Sequence, residues 1–225
     1  MNIRNFAIVA AFSAVAAFGQ GPFAAVPAAG YADSAFQVRY ASNLSIGDSV
    51  VNFSNAGSSS TDSGLPAGVA QNGDICANVY AYSPDEQLVS CCSCNVTPNA
   101  LNSLSAKNDL ASNTLTPIIP SALVIKVVAT EGGAKCTAGK AATVKDGELR
   151  AGLLAWGTTI HALPVTAGTP ATTYGVTETA FSTPATLSPA ELSRMTQLCA
   201  FIRANGSGYG ICKSCKVGGL GASAK

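Results

Sequence analysis

Apolar and polar residues alternate with a period of two over much of the chain, in short runs separated by turn-forming residues. In SAFQVRYASN, Phe36, Val38 and Tyr40 alternate with polar neighbours, which predicts a half-buried strand with those three side chains on its apolar face. Residues 45–48 form a turn, and 50–53 make a second short strand. The stretch 56–68, AGSSSTDSGLPAG, is a loop by composition. Two β-like runs follow, 74–82 and 87–92, separated by SPDE. Ser83, Pro84 and Glu86 also fit a helix start, but so short a gap between two strand-like runs makes a hairpin turn the better reading. The hairpin would set Cys76 beside the cluster CCSC at 91–94.

Residues 97–117 are ambiguous: Thr97 and Pro98 suit the start of a short helix, and the later part reads as extended. SALVIKVVAT, 121–130, is nearly continuous in apolar and β-branched residues, as a central strand should be. The segment 132–148 reads as loop, 148–165 as one or two strands, and 173–181 as another. One helix is well specified. Ser188 suits its cap, Pro189 its first turn and Glu191 the capping box, and Leu192, Met195, Leu198, Cys199 and Ile202 recur at helical spacing until Gly206 stops it. Many short strands and one late helix predict a mainly β fold: an antiparallel sandwich or barrel-like domain with one C-terminal amphipathic helix lying on a sheet, with Cys199 facing inward.

The N-terminus changes the compartment. Arg4 precedes an apolar stretch at 6–18, followed by small residues, the layout of a secretory signal peptide. Its apolar core is shorter than the roughly 18 to 20 residues of a membrane span. We therefore assign 1–19 as a signal peptide, with cleavage as late as 32, and 33–225 as a single β-rich secreted domain. Without Arg4, the chain's 13 basic residues fall to 12, against 12 acidic ones, and only 11% of all residues are charged. A neutral, charge-poor surface argues against nucleic-acid partners and, once the signal is removed, against anionic membranes. It suits contact with other proteins or with copies of itself.

The chain has eight cysteines, Cys76, Cys91, Cys92, Cys94, Cys136, Cys199, Cys212 and Cys215, all beyond the leader. An even number in an exported chain reads as a set of disulfides, with adjacent Cys91 and Cys92 going to different distant partners. Sequence leaves the pairing open. A zinc site is the competing reading: CKSC at 212–215 is a good knuckle, but CCSC is a poor match for the other half. A redox role for CKSC lacks the helix that should begin at the motif.

Other chemistry is sparse. His161 is the only histidine, in a β-like run without a nucleophile motif. Asp85 with Glu86, and Asp146 with Glu148, sit in turns where acids are ordinary. Trp156 and the six tyrosines offer ring faces for a sugar, with core packing as the default. No catalytic residue, cofactor or metal ligand is singled out.

The runs GDICANVYAYSPDEQLVSCCSCNVTPN (73–99) and ANGSGYGICKSCKVGGLGA (204–222) resemble uncharacterised secreted bacterial proteins of the acidobacterial type. The resemblance implies export in a bacterium and no known activity. It makes the N-x-S/T sites at Asn43, Asn52, Asn95 and Asn205 incidental. The expected function is that of a non-enzymatic structural protein of the surface or extracellular matrix (the periplasm being the other compartment), self-associating or meeting other envelope proteins by strand addition, with strand 34–41 as the donor. The alternative is an extracellular module that binds a carbohydrate or small ligand.

Overall fold

The computed structural model describes residues 35–57, 73–163, 174–183, 187–213 and 215–217. The assigned leader, most of the loop at 56–68 and the first residue of the strand expected at 173–181 lie outside them. The described chain forms two antiparallel sheets and one long helix. Sheet A has the order β1 (Phe36–Ala41), β6 (Leu123–Glu131), β3 (Ile75–Tyr82), β4 (Leu88–Val96). Sheet B has the order β8 (Tyr174–Ala180), β7 (Leu153–Ala162), β2 (Gly47–Asn55), β5 (Leu101–Ser105), β9 (Lys216–Val217). Helix α1 (Pro189–Ala204) makes a third layer outside sheet A.

The mainly β sandwich with a late helix is therefore present, and its layers follow from side-chain alternation. Ile75, Ala77, Val79 and Ala81 of β3 point between the sheets, with Leu123, Ile125 and Val127 of β6 beside them and Val51, Phe53, Leu104 and Leu153 opposite. Tyr80 and Tyr82 point the other way, onto Leu192, Met195, Cys199 and Ile202 of α1. Every residue of β3 is buried, because both of its faces are covered. β6 lies inside sheet A, as its continuous apolar run requires.

Local chemistry sets the ends of these elements. The turn between β3 and β4 closes through Ser83 N–H to Gln87 O (2.9 Å), with Glu86 in the left-handed region, so SPDE is a hairpin turn and not a helix start. Ser188 Oγ accepts the Glu191 N–H at α1's start. The second half of the expected capping box is absent: the Glu191 carboxylate ion-pairs with Lys126 of β6 and so ties the helix to the sheet. Gly206, at φ 68°, lets the chain leave the helix.

Two expectations need correction. Phe36 and Val38 do not face the core between the sheets; they face the helix side, and Tyr40 is exposed. The polar residues of β1 go inward instead. Gln37 Nε2 donates to Leu153 O (2.7 Å) and its Oε1 accepts from Ala155 N–H (3.1 Å). Arg39 reaches Ser49, Thr159 and the Thr179 carbonyl of sheet B. Second, no helix starts at 97–98; β5 begins at Leu101, and Ser105 caps a five-residue π-type turn, Ala106–Leu110. The one or two strands expected in 148–165 are met by β7, with 164 and 165 outside the described residues.

Arg39 and Gly157 explain each other. A Cβ at Gly157 would lie 2.0 Å from the Arg39 guanidinium carbon, whose head is held in place by its three partners. Gly157→Ala is expected to lower stability by about 1–3 kcal/mol in chemical denaturation, the cost of overpacking a filled site. The outer tyrosines give a contrasting pair. Tyr80 O–H donates to Ala141 O (2.7 Å), whereas the buried Tyr82 hydroxyl lacks a described partner. Tyr80→Phe should cost about 0.5–1.5 kcal/mol, and Tyr82→Phe close to nothing. Burial, followed by the Glu191 charge and offset partly by Arg194, pushes the Tyr82 phenol from 10.0 up to about 12. A phenol pKa raised by folding stabilises the fold fully below the unfolded value and loses that contribution as pH rises through the folded one. Denaturation midpoints should therefore fall between about pH 10 and 12, and the fall should be shallower in Tyr82→Phe.

Candidate functional site

β4 carries the densest chemistry in the chain. Successive strand residues face opposite ways, so the adjacent Cys91 and Cys92 point to different layers. Cys91 meets Cys199 of α1 on the outer face (S–S 2.03 Å). Cys92 and Cys94 point inward and meet Cys212 and Cys215 of the C-terminal segment. Cys76 of β3 holds Cys136, fixing the 132–148 segment against the same outer face as α1. All eight cysteines are paired, and no free thiol remains. One strand is thus tied to two elements on its two faces.

The cluster also bears on the metal and redox readings. The sulfurs of Cys92, Cys94 and Cys215 lie within 4.8 Å of one another, the convergence a thiolate site needs. They are spent in two side-by-side bridges, and a disulfide sulfur is not the thiolate that binds zinc or attacks a substrate. The cysteines of CKSC do not pair with each other and do not open a helix: α1 has already ended at Ala204.

The remaining candidates are scattered. His161 lies near the end of β7 with its ring over Gly175, and no described side chain hydrogen-bonds to it. Asp85 accepts from Ser83, Glu86 faces Arg194 at 3.6 Å, and Glu148 pairs with Lys140 at 2.8 Å. Burial alone would raise the Glu148 pKa, but the Lys140 hydrogen bond, the Lys145 N–H and both lysine charges outweigh it and hold the carboxyl below its usual value. Trp156 is half-buried on the outward face of sheet B, opposite Asn52. Asn52, Ser103 and Thr158 around it hydrogen-bond to one another and on to Glu178, a polar row across four strands that sequence reading missed. A groove between the β3–β4 turn and 116–121 has exposed Ile118 and Ile119 on its rim.

The sheet edges are the last feature of chemical consequence. At β1, Val38 and Ser182 exchange backbone hydrogen bonds of 2.9 Å each way. At β4, Cys91 N–H donates to Gly210 O (2.9 Å). At β5, the tail adds β9. β8 differs: it pairs with β7 on one side and with no described strand on the other. Almost all of it is exposed, Tyr174 at 59% and Val176 at 63%.

Comparison of the chain with protein-family models, curated proteins and solved structures returns no match. Four disulfides belong to an oxidising compartment, and no helix among the described residues is long and apolar enough to cross a membrane.

The two inner bridges should be modestly non-additive. With Cys92–Cys212 intact, Cys94–Cys215 closes a loop of only a handful of residues. Replacing Cys94 and Cys215 by alanine should therefore cost about 2 kcal/mol, and replacing all four cysteines about 5 kcal/mol, in denaturant titration of the oxidised protein. Acid stability supplies a second check. A carboxyl with a depressed folded pKa stabilises the fold above its unfolded pKa, and that contribution is lost as pH falls through the folded value. Glu148→Gln should flatten the acid limb of the stability profile.

Proposed function

We propose that this chain is an exported, non-enzymatic structural protein of the cell surface or extracellular matrix, and that it associates with its neighbours by strand addition. The observation that carries this reading is the contrast between the edges. Three of them are engaged by the chain itself, two beside disulfide-anchored tail residues, while among the described residues β8 pairs with no strand beyond β7. Natural sheets shield or blunt such edges unless the edge is used, because a row of free N–H and C=O groups accepts any extended chain. The low charge of the surface supports the reading, since little repulsion opposes close approach. The strand expected as the donor, 34–41, forms β1 and is built into sheet A, so β8 is the better candidate for the contact.

The ligand-binding alternative would rest on Trp156. Its polar neighbours are buried and satisfied by one another, which leaves few donors to read sugar hydroxyls. Light scattering of the mature oxidised protein over a concentration series tests the main reading. A mass that rises above the monomer with concentration is expected. A strict monomer at high concentration, with retention on a polysaccharide column, would transfer the case to ligand binding.

A further inference from the structure

We propose that the partner of β8 is the β8 strand of a second copy, paired antiparallel about a twofold axis through Thr177. This inference rests on the assembly reading above and specifies its contact. Hydrogen-bond phase limits how β8 can pair. Phe181 N–H donates to Ala155 O (3.1 Å), one step beyond the Trp156–Ala180 pair in the β7–β8 register. Antiparallel ladders alternate, so Gly175, Thr177 and Thr179 direct their backbone groups to β7. Tyr174, Val176, Glu178 and Ala180 direct theirs to the open side.

Only some self-pairings fit this phase. An axis between two residues would set outward-facing groups against inward-facing ones. An axis through Glu178 would place the two carboxylates directly opposite each other, which is destabilising. An axis through Val176 would pair fewer residues of the strand. The axis through Thr177 pairs Val176 with Glu178 of the second copy, and Tyr174 with Ala180. All outward groups then meet in hydrogen-bonded pairs, about eight backbone bonds in all. The glutamates are offset diagonally, and each can lay its methylene stem over an exposed valine. Glu178 is the only charged residue in the strand. The result joins two five-stranded sheets into one. The contact is isologous, so this edge alone gives a closed dimer and no open filament.

The experiment is sedimentation equilibrium of the mature oxidised protein and two variants. Val176→Pro removes an N–H that points away from β7 and leaves the β7 ladder intact; it should be monomeric with unchanged circular dichroism and unfolding midpoint. Val176→Lys places a lysine opposite Glu178 of the other copy, twice per dimer. It should tighten the dimer roughly fivefold at low salt, with the gain lost at high salt. A Val176→Pro protein that associates like the parent, or a Val176→Lys protein that associates more weakly, would overturn the β8 pairing while leaving assembly through another surface standing. A parent protein that stays monomeric would overturn both.

Discussion

One strand bears the covalent organisation of this molecule. β4 places cysteines at three of four consecutive positions, and the alternation of a strand sends them to both of its faces. Outward, Cys91 fastens the helix layer; inward, Cys92 and Cys94 fasten the C-terminal segment between the sheets. The same tail pairs with β4's edge in sheet A and continues as β9 in sheet B, so it closes one side of the sandwich. On the other side, the chain after β8 crosses from β7 to β1 through Phe181 and Ser182. Closure on both sides explains a fold between a sandwich and a barrel.

The sulfur chemistry governs what the rest can do. Paired cysteines supply neither nucleophile nor metal ligand, and Asp85, Glu86 and Glu148 are each engaged with a separate neighbour, Ser83, Arg194 and Lys140. A polar seam runs between the sheets at β1, where Gln37 and Arg39 bond to sheet B. That seam holds β1 in place and leaves β8 as the long edge without a described partner. The proposed function follows from this difference between the edges.

Much of this was legible in the sequence because the signals were local. The cap and spacing around Ser188 and Pro189 specify α1, the continuous apolar run at 121–130 specifies an interior strand, and an even set of eight cysteines points to disulfides. The spacing of CCSC even implied divergent partners for Cys91 and Cys92. What stayed hidden depended on distant residues. Phe36, Val38 and Tyr40 alternate correctly, but a third layer makes both faces of sheet A apolar, so alternation could not say which face was the core. β5 was invisible because LNSLS has two apolar residues and completes itself with Asn52 of β2 and Asn95 of β4. The pairing of the bridges is a property of topology and could not be read from spacing. Neither could the open edge: a strand's sequence does not show how many neighbours it has.

The claim on which all of this depends is that β4 is bridged on both faces. Proteolysis of the native protein under non-reducing, acid-quenched conditions, followed by mass spectrometry of the linked fragments, tests it directly. The account expects Cys91–Cys199, Cys92–Cys212, Cys94–Cys215 and Cys76–Cys136, with no free thiol. A Cys212–Cys215 link, or several alkylatable thiols in the native protein, would contradict it.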